Sequence, residues 1–405
     1  MVRKTEAFIK DLLANADVEL NGERSWDMQV HDPSLYDAVC RQGSLGLGEA
    51  YMAGLWDCAR LDAFFHRILR ARLDEKIRTV DAVWMAVVSK LRNNQSIRRA
   101  WDVGKVHYNL GNAFYRDMLG PTMAYSCGYW LHAGSLEEAQ NAKLDLICRK
   151  LGLQPGMTLL DIGCGWGSLM RYAAEHYGVS CTGVTISSEQ AAYGAEHCKG
   201  LPVVFRLMDY RSLDGTYDRI ASVGMFEHVG RRNYREFFQV ARRSLAEDGL
   251  MLLHTIGGNF CGCAPDPWVN KYIFPNGEIP CLSEIFQAVQ DFFVAEDVHN
   301  FGADYDPTLM AWHANFEGAW PRYKDQYPAH FYRMWRYYLL CCAGTFRARS
   351  NQLWQIVLSP HGQLGGYKRA GVARPLLGWD CGCRRLPRPG GSKAAPGPDG
   401  TAPAV

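Results

Sequence analysis

The stretch LLDIGCGWGSLMRYAAE, residues 159–175, runs from an apolar segment through an aspartate and three alternate glycines into a helical pattern. Asp161 is expected to end a strand, with Gly163, Gly165 and Gly167 turning the chain into a helix. Glycines at the carboxyl end of a strand let the backbone turn sharply and approach a ligand without Cβ clashes. The spacing D-x-G-x-G-x-G is not the G-x-G-x-x-G pattern that aims a helix N-terminus at a pyrophosphate. A third glycine drawn in by one residue suits a nucleoside ligand without a phosphate handle, and S-adenosylmethionine is such a ligand.

Around this turn, residues 157–162, 180–186, 201–207, 218–224 and 250–256 are short β-rich runs. Helical patterns at 167–177, 188–198 and 232–245 separate them. This alternation predicts an α/β fold, a doubly wound parallel sheet. Runs at 292–301 and 353–359 would bring the sheet to seven strands, with a long helical insert between those two. Residues 1–95 read as a smaller, mostly helical N-terminal domain, with a stripe at Phe8, Ile9, Leu12 and Leu13. Residues 96–120 read as a polar, basic linker and 121–360 as the catalytic domain. From residue 361 to 405 the chain has ten Gly and six Pro, the composition of a disordered tail.

Bulk composition narrows the function. The 405 residues are 48% apolar and 21% charged, as in a soluble globular protein. A formal charge of +2 argues against nucleic acid as the partner. Seven Lys/Arg against two Asp in residues 361–405 concentrate positive charge at one end. The fourteen cysteines are read as reduced thiols. The pairs Cys261/Cys263 and Cys381/Cys383 lack the partners a zinc site needs, so no metal is expected. No apolar run approaches the ~18–20 residues that span a bilayer. A cytoplasmic location follows as the expectation, with membrane contact only peripheral. Amphipathic stretches at 64–72 and 83–99 are candidates for that contact.

The second strand ends in GVTISSEQ, residues 183–190, whose hydroxyls and amide suit a ribose or the methionine end of a cofactor. Asp209 and Tyr210 follow the third strand and offer a carboxylate and an aromatic face. Together with YSCGYW (125–130), YDRIASVGMFEHVG (217–230), LLHTIG (252–257), PWVNKYIFPNGEIP (267–280) and NFGADYDPTLMAWHANF (300–316), these motifs closely resemble the bacterial cyclopropane-fatty-acyl-phospholipid synthases. The likeness covers roughly residues 20–358.

That resemblance implies a Rossmann-like class I methyltransferase, with a helical lipid-binding domain, that commonly dimerises. It implies addition of a methylene from S-adenosylmethionine across a cis double bond of a membrane phospholipid acyl chain, with bound bicarbonate as base and an enzyme resting on the inner membrane. Its cofactor residues map onto Tyr125, Ser126, Leu160, Asp161, Ile162, Gly163, Cys164, Gly165, Trp166, Gly167, Ser168, Thr185, Ile186, Ser187, Ser188, Glu189, Gln190, Asp209 and Tyr210. Its bicarbonate pocket maps onto Cys127, Glu227, His254, the backbone of Ile256, and Tyr305. Cys342 matches a cysteine assigned to the family's active site, although direct methyl transfer needs no thiolate.

The chemistry demands a dry, aromatic-walled cleft, because a carbocation formed beside the sulfonium must lose a proton before water traps it. Tyr129, Trp130, Phe226, Trp268, Tyr305 and Trp312 are candidates for that wall. Two other readings remain: methylation of a different lipid or small-molecule acceptor, and a lipid-binding protein with an inactive catalytic domain. The five-residue bicarbonate set disfavours the first. Intact Gly163, Glu227, His254 and Tyr305 disfavour the second.

Overall fold

The computed structural model describes residues 2–73, 111–262 and 265–370. One sheet of seven strands organises them: β1 Thr158–Ile162, β2 Ser180–Thr185, β3 Val203–Leu207, β4 Tyr217–Val223, β5 Leu245–Gly258, β6 Val294–Asn300 and β7 Asn351–Ser359. Their spatial order is β3-β2-β1-β4-β5-β7-β6. Leu159, Leu160 and Ile162 of β1 are fully buried because helices cover both faces of the sheet. Strand β1 pairs in parallel with β2 on one side and β4 on the other. The direction of winding reverses between β1 and β4, which opens a crevice at their carboxyl ends.

The sheet is mixed rather than wholly parallel. Strand β7 runs antiparallel to both neighbours, with Gln355 opposite His254 of β5 and His299 of β6. Its direction follows from its entrance: Asn351 pairs with Gly258, the last residue of β5, so β7 starts at the crevice edge and runs away from it.

The N-terminal segment contributes helices α1 Val2–Ala14, α2 Ser34–Gln42, α3 Ser44–Met52 and α4 Leu61–Arg70. Ile9, Leu12 and Leu13 are buried, whereas Phe8 is exposed. Residues 112–119, inside the expected linker, form helix α5 (Asn112–Leu119), with Phe114, Tyr115, Met118 and Leu119 buried. After α9 (Tyr234–Ser244), α10 (Pro267–Tyr272) and α11 (Leu282–Val289), two helices lie between β6 and β7, α12 (Tyr305–Ala319) and α13 (Ala329–Arg347). Gly344 lets α13 approach α4 closely, since a Cβ there would stand 2.6 Å from Phe65 Cβ. Arg347 then bridges Asp62 of α4 and Asp306 of α12.

Phe65 packs on Tyr337 of α13 and Phe64 on Trp56, so these two rings of the 64–72 stretch are buried in the protein and not free for a membrane. The second candidate stretch, 83–99, lies outside the described residues. One apolar cluster joins Ile9, Phe64, Trp268, Trp335 and Leu353, so the N-terminal helices share their core with the insert. The described residues up to Ala370 form a single compact unit.

Two further expectations change. Residues 361–370, assigned to the tail, are held on the fold: Tyr367 donates to the Lys150 carbonyl at 2.9 Å, and Arg369 pairs with Asp297. Residues 371–405 lie outside the described residues. Cys261 is not a free thiol but is bonded to Cys281. The chain brings them together where Gly258, at the end of β5, donates to the Pro280 carbonyl.

Candidate active site

All three glycines of the loop after β1 adopt positive φ, at 84°, 54° and 85° for Gly163, Gly165 and Gly167. A Cβ on Gly163 would stand 2.5 Å from Met225, and one on Gly167 would stand 2.4 Å from Phe205. A Cβ on Gly165 would meet nothing within 4 Å, because this glycine faces a cavity. The loop is tied down by Gly163 and Cys164, whose N–H groups both donate to the Val184 carbonyl of β2.

The cavity measures about 200 Å³ and lies at the crevice between β1 and β4. Tyr125, Ser126, Asp161, Gly163, Cys164, Gly165, Trp166, Ser168, Thr185, Ile186, Ser187, Gln190, Asp209 and Tyr210 line it, all candidates from the sequence. The other five are elsewhere. Leu160 and Ile162 point into the core under the sheet. Gly167 packs on Phe205 and caps helix α7 (Ser168–Tyr177). Ser188 and Glu189 are exposed on the first turn of helix α8 (Ser188–His197), while Ser187 caps that helix through the Gln190 N–H.

Charge in the cavity is unevenly compensated. Asp209 is held by the Arg211 guanidinium at 2.9 Å and by its backbone N–H. Asp161 has no such partner: its Oδ1 is buried and unbonded among the described residues. Burial raises its pKa to about 7, against the opposing pull of Lys143. Lys143, on helix α6 (Leu136–Lys150), lines the same cavity and donates to Ser126 Oγ at 3.0 Å. Burial lowers its pKa to about 8. His228 also lines the cavity, and burial lowers its pKa to about 4, so its imidazole is neutral.

Two further buried groups, Glu227 and His254, lie next to residues that line this cavity: Glu227 precedes His228, and the His254 carbonyl accepts from the Gly224 N–H. Glu227 Oε1 accepts from the Ile256 N–H at 2.6 Å, while Oε2 is buried with no partner among the described residues. Burial raises the Glu227 pKa to about 7, although the Ile256 N–H favours the charged form. His254 is held by Gln355 Nε2, 3.3 Å from Nδ1. With that amide orientation the ring proton sits on Nε2, which again has no partner. Burial, reinforced by Lys143 and Lys150, keeps this imidazole neutral.

Tyr305 opens α12 after β6. Burial pushes its phenol far above the usual range, and Cys127, Glu227, Tyr125 and Cys342 add to the effect, which brings these groups into one neighbourhood. The Cys127 thiol is fully buried near Gly128 and Thr308, with its pKa raised well above 9. Cys342 lies on an apolar part of α13, where its surroundings raise its pKa to about 12. Neither sulfur is a thiolate at neutral pH.

Of the six candidate aromatics, Trp312 and Tyr305 share a wall, with ring centroids 6.1 Å apart. Tyr125 joins them 5.2 Å from Trp312 and hydrogen-bonds to the Tyr338 hydroxyl. Phe226 instead stacks on Tyr234 in the core, Trp268 packs on Tyr337, and Tyr129 packs on Phe301. Trp130 is anchored through its indole N–H to Thr308. Sequence reasoning missed Phe274, which adds a ring to the wall beside Tyr125 and Tyr338. It also missed Lys143.

Known proteins match this chain in sequence and in fold. The family model for mycolic acid cyclopropane synthetase matches residues 95–356. The cyclopropane-fatty-acyl-phospholipid synthase of Escherichia coli (strain K12) is 52% identical over 351 residues, covering 86% of this chain and 92% of the relative. Among solved structures, the cyclopropane synthase MmaA2 from Mycobacterium tuberculosis is 33% identical, with a TM-score of 0.60 over 64% of this chain and 97% of its own. The mycolic acid cyclopropane synthase CmaA1, solved with SAH and CTAB, is 34% identical with the same TM-score and coverage. A glycine loop built for a nucleoside, an aromatic wall and identity sustained across most of the chain have one common explanation: this chain belongs to the cyclopropane synthetase family of S-adenosylmethionine-dependent methyltransferases.

Proposed function

We propose that this chain is a cyclopropane-fatty-acyl-phospholipid synthase, acting on the cis double bond of an unsaturated phospholipid acyl chain. The methyl group leaves the sulfonium, whose bonding electrons stay on sulfur as S-adenosylhomocysteine. The alkene π electrons form the new carbon–carbon bond, leaving a carbocation on the other alkene carbon. Loss of a proton from the added methyl group then closes the ring.

The observation that carries this reading is the pair of buried, unpartnered atoms Glu227 Oε2 and His254 Nε2 beside the cofactor cavity. An alkene acceptor brings no lone pair or removable proton of its own, so the proton must come off the transferred methyl group, and these atoms can hold the base that takes it. An acceptor-capable carboxyl and a neutral imidazole N–H fit a small hydrogen-bonding oxyanion such as bicarbonate, with Tyr305 and Cys127 nearby. Bicarbonate, when bound, supplies the base for the methyl proton. Glu227 orients it by accepting its hydrogen, and His254 donates to it. Tyr305, Trp312 and Tyr125 exclude water and present π faces to positive charge.

A lipid substrate fits an enzyme that reaches the bilayer from one side, in the cytoplasm and at the inner membrane. Among the described residues no helix is long and apolar enough to cross a membrane. Formation of a homodimer belongs to the same reading.

The test is incubation of the full chain with methyl-labelled S-adenosylmethionine and vesicles of unsaturated phospholipid, followed by mass analysis of the fatty acids. The expected product has gained one CH₂ and lost its double bond. A methyl-branched or hydroxylated fatty acid would redirect the reading to another acceptor chemistry.

A further inference from the structure

We propose that Lys143 anchors the carboxylate of the methyl donor's amino-acid end, with Asp161 across the cavity taking its ammonium. The inference rests on the methyl-donor reading above and adds to it the recognition of a zwitterion.

Lys143 sits on α6 with only 1% of its surface exposed and lines the cofactor cavity, and its Nζ donates to Ser126, which lines it too. Its single hydrogen bond among the described residues goes to a neutral oxygen, Ser126 Oγ. No carboxylate lies within ion-pair distance of it among those residues, unlike Lys150 seven positions later, which pairs with Asp297 at 3.3 Å. A buried ammonium without a counter-ion is costly, and such groups ordinarily have one. Lys143 therefore holds two unused N–H donors and an uncancelled charge against a cavity large enough for a ligand.

Asp161 is the complementary defect. Its carboxyl is 3% exposed and lines the same cavity, with Oδ1 unbonded among the described residues. The two side chains sense one another electrostatically yet make no ion pair. A buried cation and a buried carboxylate, facing one cavity but apart, form a two-point receptor. A ligand fitting both must carry a carboxylate and an ammonium close together. In S-adenosylmethionine only the amino-acid end does so. The ribose and adenine carry no anion for Lys143 to pair with, and the sulfonium would be repelled by it.

Ser126 links the two halves of the site. Gln140, one turn before Lys143, donates to the Ser126 carbonyl at 2.8 Å, so α6 fixes residues 124–126 from beneath. Tyr125 of the aromatic wall and the Lys143 anchor are thus set by one short segment. Lys143 is a positioning residue: it fixes the amino-acid end and hence where the methyl group points.

The experiment is titration calorimetry on the full chain with S-adenosylhomocysteine, its decarboxylated analogue and 5′-methylthioadenosine. Wild type should bind S-adenosylhomocysteine about ten- to a hundredfold more tightly than the decarboxylated analogue, the range of a charge-assisted hydrogen bond. Lys143→Met should erase that preference while changing 5′-methylthioadenosine binding less than about threefold. Lys143→Arg should restore part of it. Equal wild-type affinity for the first two ligands would overturn the proposal and leave methyl transfer standing. So would a Lys143→Met protein that keeps the preference. If none of the three ligands binds, the methyl-donor reading itself falls. The wild-type comparison decides the matter even if the variants fail to fold.

Discussion

The backbone N–H of Ile256 donates to Glu227 Oε1 at 2.6 Å, which fixes one carboxyl oxygen and leaves the other unpartnered in a buried pocket. A group held in this way is set to bind something other than the cofactor. Glu227→Gln should therefore change S-adenosylhomocysteine affinity by less than about threefold and lower turnover at least about a hundredfold, as removal of a proton-handling group does. Calorimetry and product analysis by mass spectrometry check the two halves separately. Parallel loss of both would contradict the assigned role.

The same burial makes a pH prediction. Glu227 and Asp161 titrate near 7 in the fold, whereas unfolded carboxyls titrate near 4. The folded protein thus keeps protons that the unfolded chain releases. Their stabilising contribution is present in acid and disappears as pH rises through 7. Without ligand, Glu227→Gln should be more stable than wild type at pH 8 by about 1–3 kcal/mol, and close to wild type at pH 5. Urea denaturation at both values reads this. The same difference at each pH would count against the buried carboxyl.

Gly163 and Gly165 separate strain from ligand contact. Alanine at either position must adopt positive φ, at a cost of about 1 kcal/mol. At Gly163 the new methyl also collides with Met225, so Gly163→Ala should melt markedly lower. At Gly165 it enters open cavity, so Gly165→Ala should stay folded yet bind S-adenosylhomocysteine at least about tenfold more weakly. Thermal melts beside calorimetry distinguish the two.

Cys342 provides a negative test. With a pKa of about 12 its sulfur is almost wholly protonated at neutral pH and is a poor nucleophile. Cys342→Ala should keep turnover within about fivefold of wild type, and iodoacetamide at pH 7.5 should modify the sulfur slowly. A loss beyond about a hundredfold in a folded variant would restore a chemical role.

Much of this was legible in the sequence. The strands stand out because burial on both faces demands unbroken apolar runs, as in β1 and β5. The glycine loop stands out because three positive-φ residues in five positions leave few substitutes. The direction of β7 was not legible, since it depends on where α13 delivers the chain. Nor was the Cys261–Cys281 bond, which depends on a 20-residue excursion returning to the end of β5. Residues 361–370 were masked by their glycines, although Tyr367 and Arg369 are the side chains that hold them. Lys143 left a signal that went unread. Ala139, Lys143 and Ile147 are spaced four apart on α6, so helical periodicity alone puts the lysine on the buried stripe.

Gln355, which aligns His254, is 101 residues further along the chain, and β7 lies between two strands that are translated before it. During synthesis, β5 and β6 leave the ribosome with a missing slat between them, and each exposes a ladder of unpaired amides until residues 351–359 arrive. From the completion of Gly258 to the arrival of Asn351 the nascent protein therefore carries an open edge that invites mispairing, and the support that aligns His254 forms only when the late strand is in place.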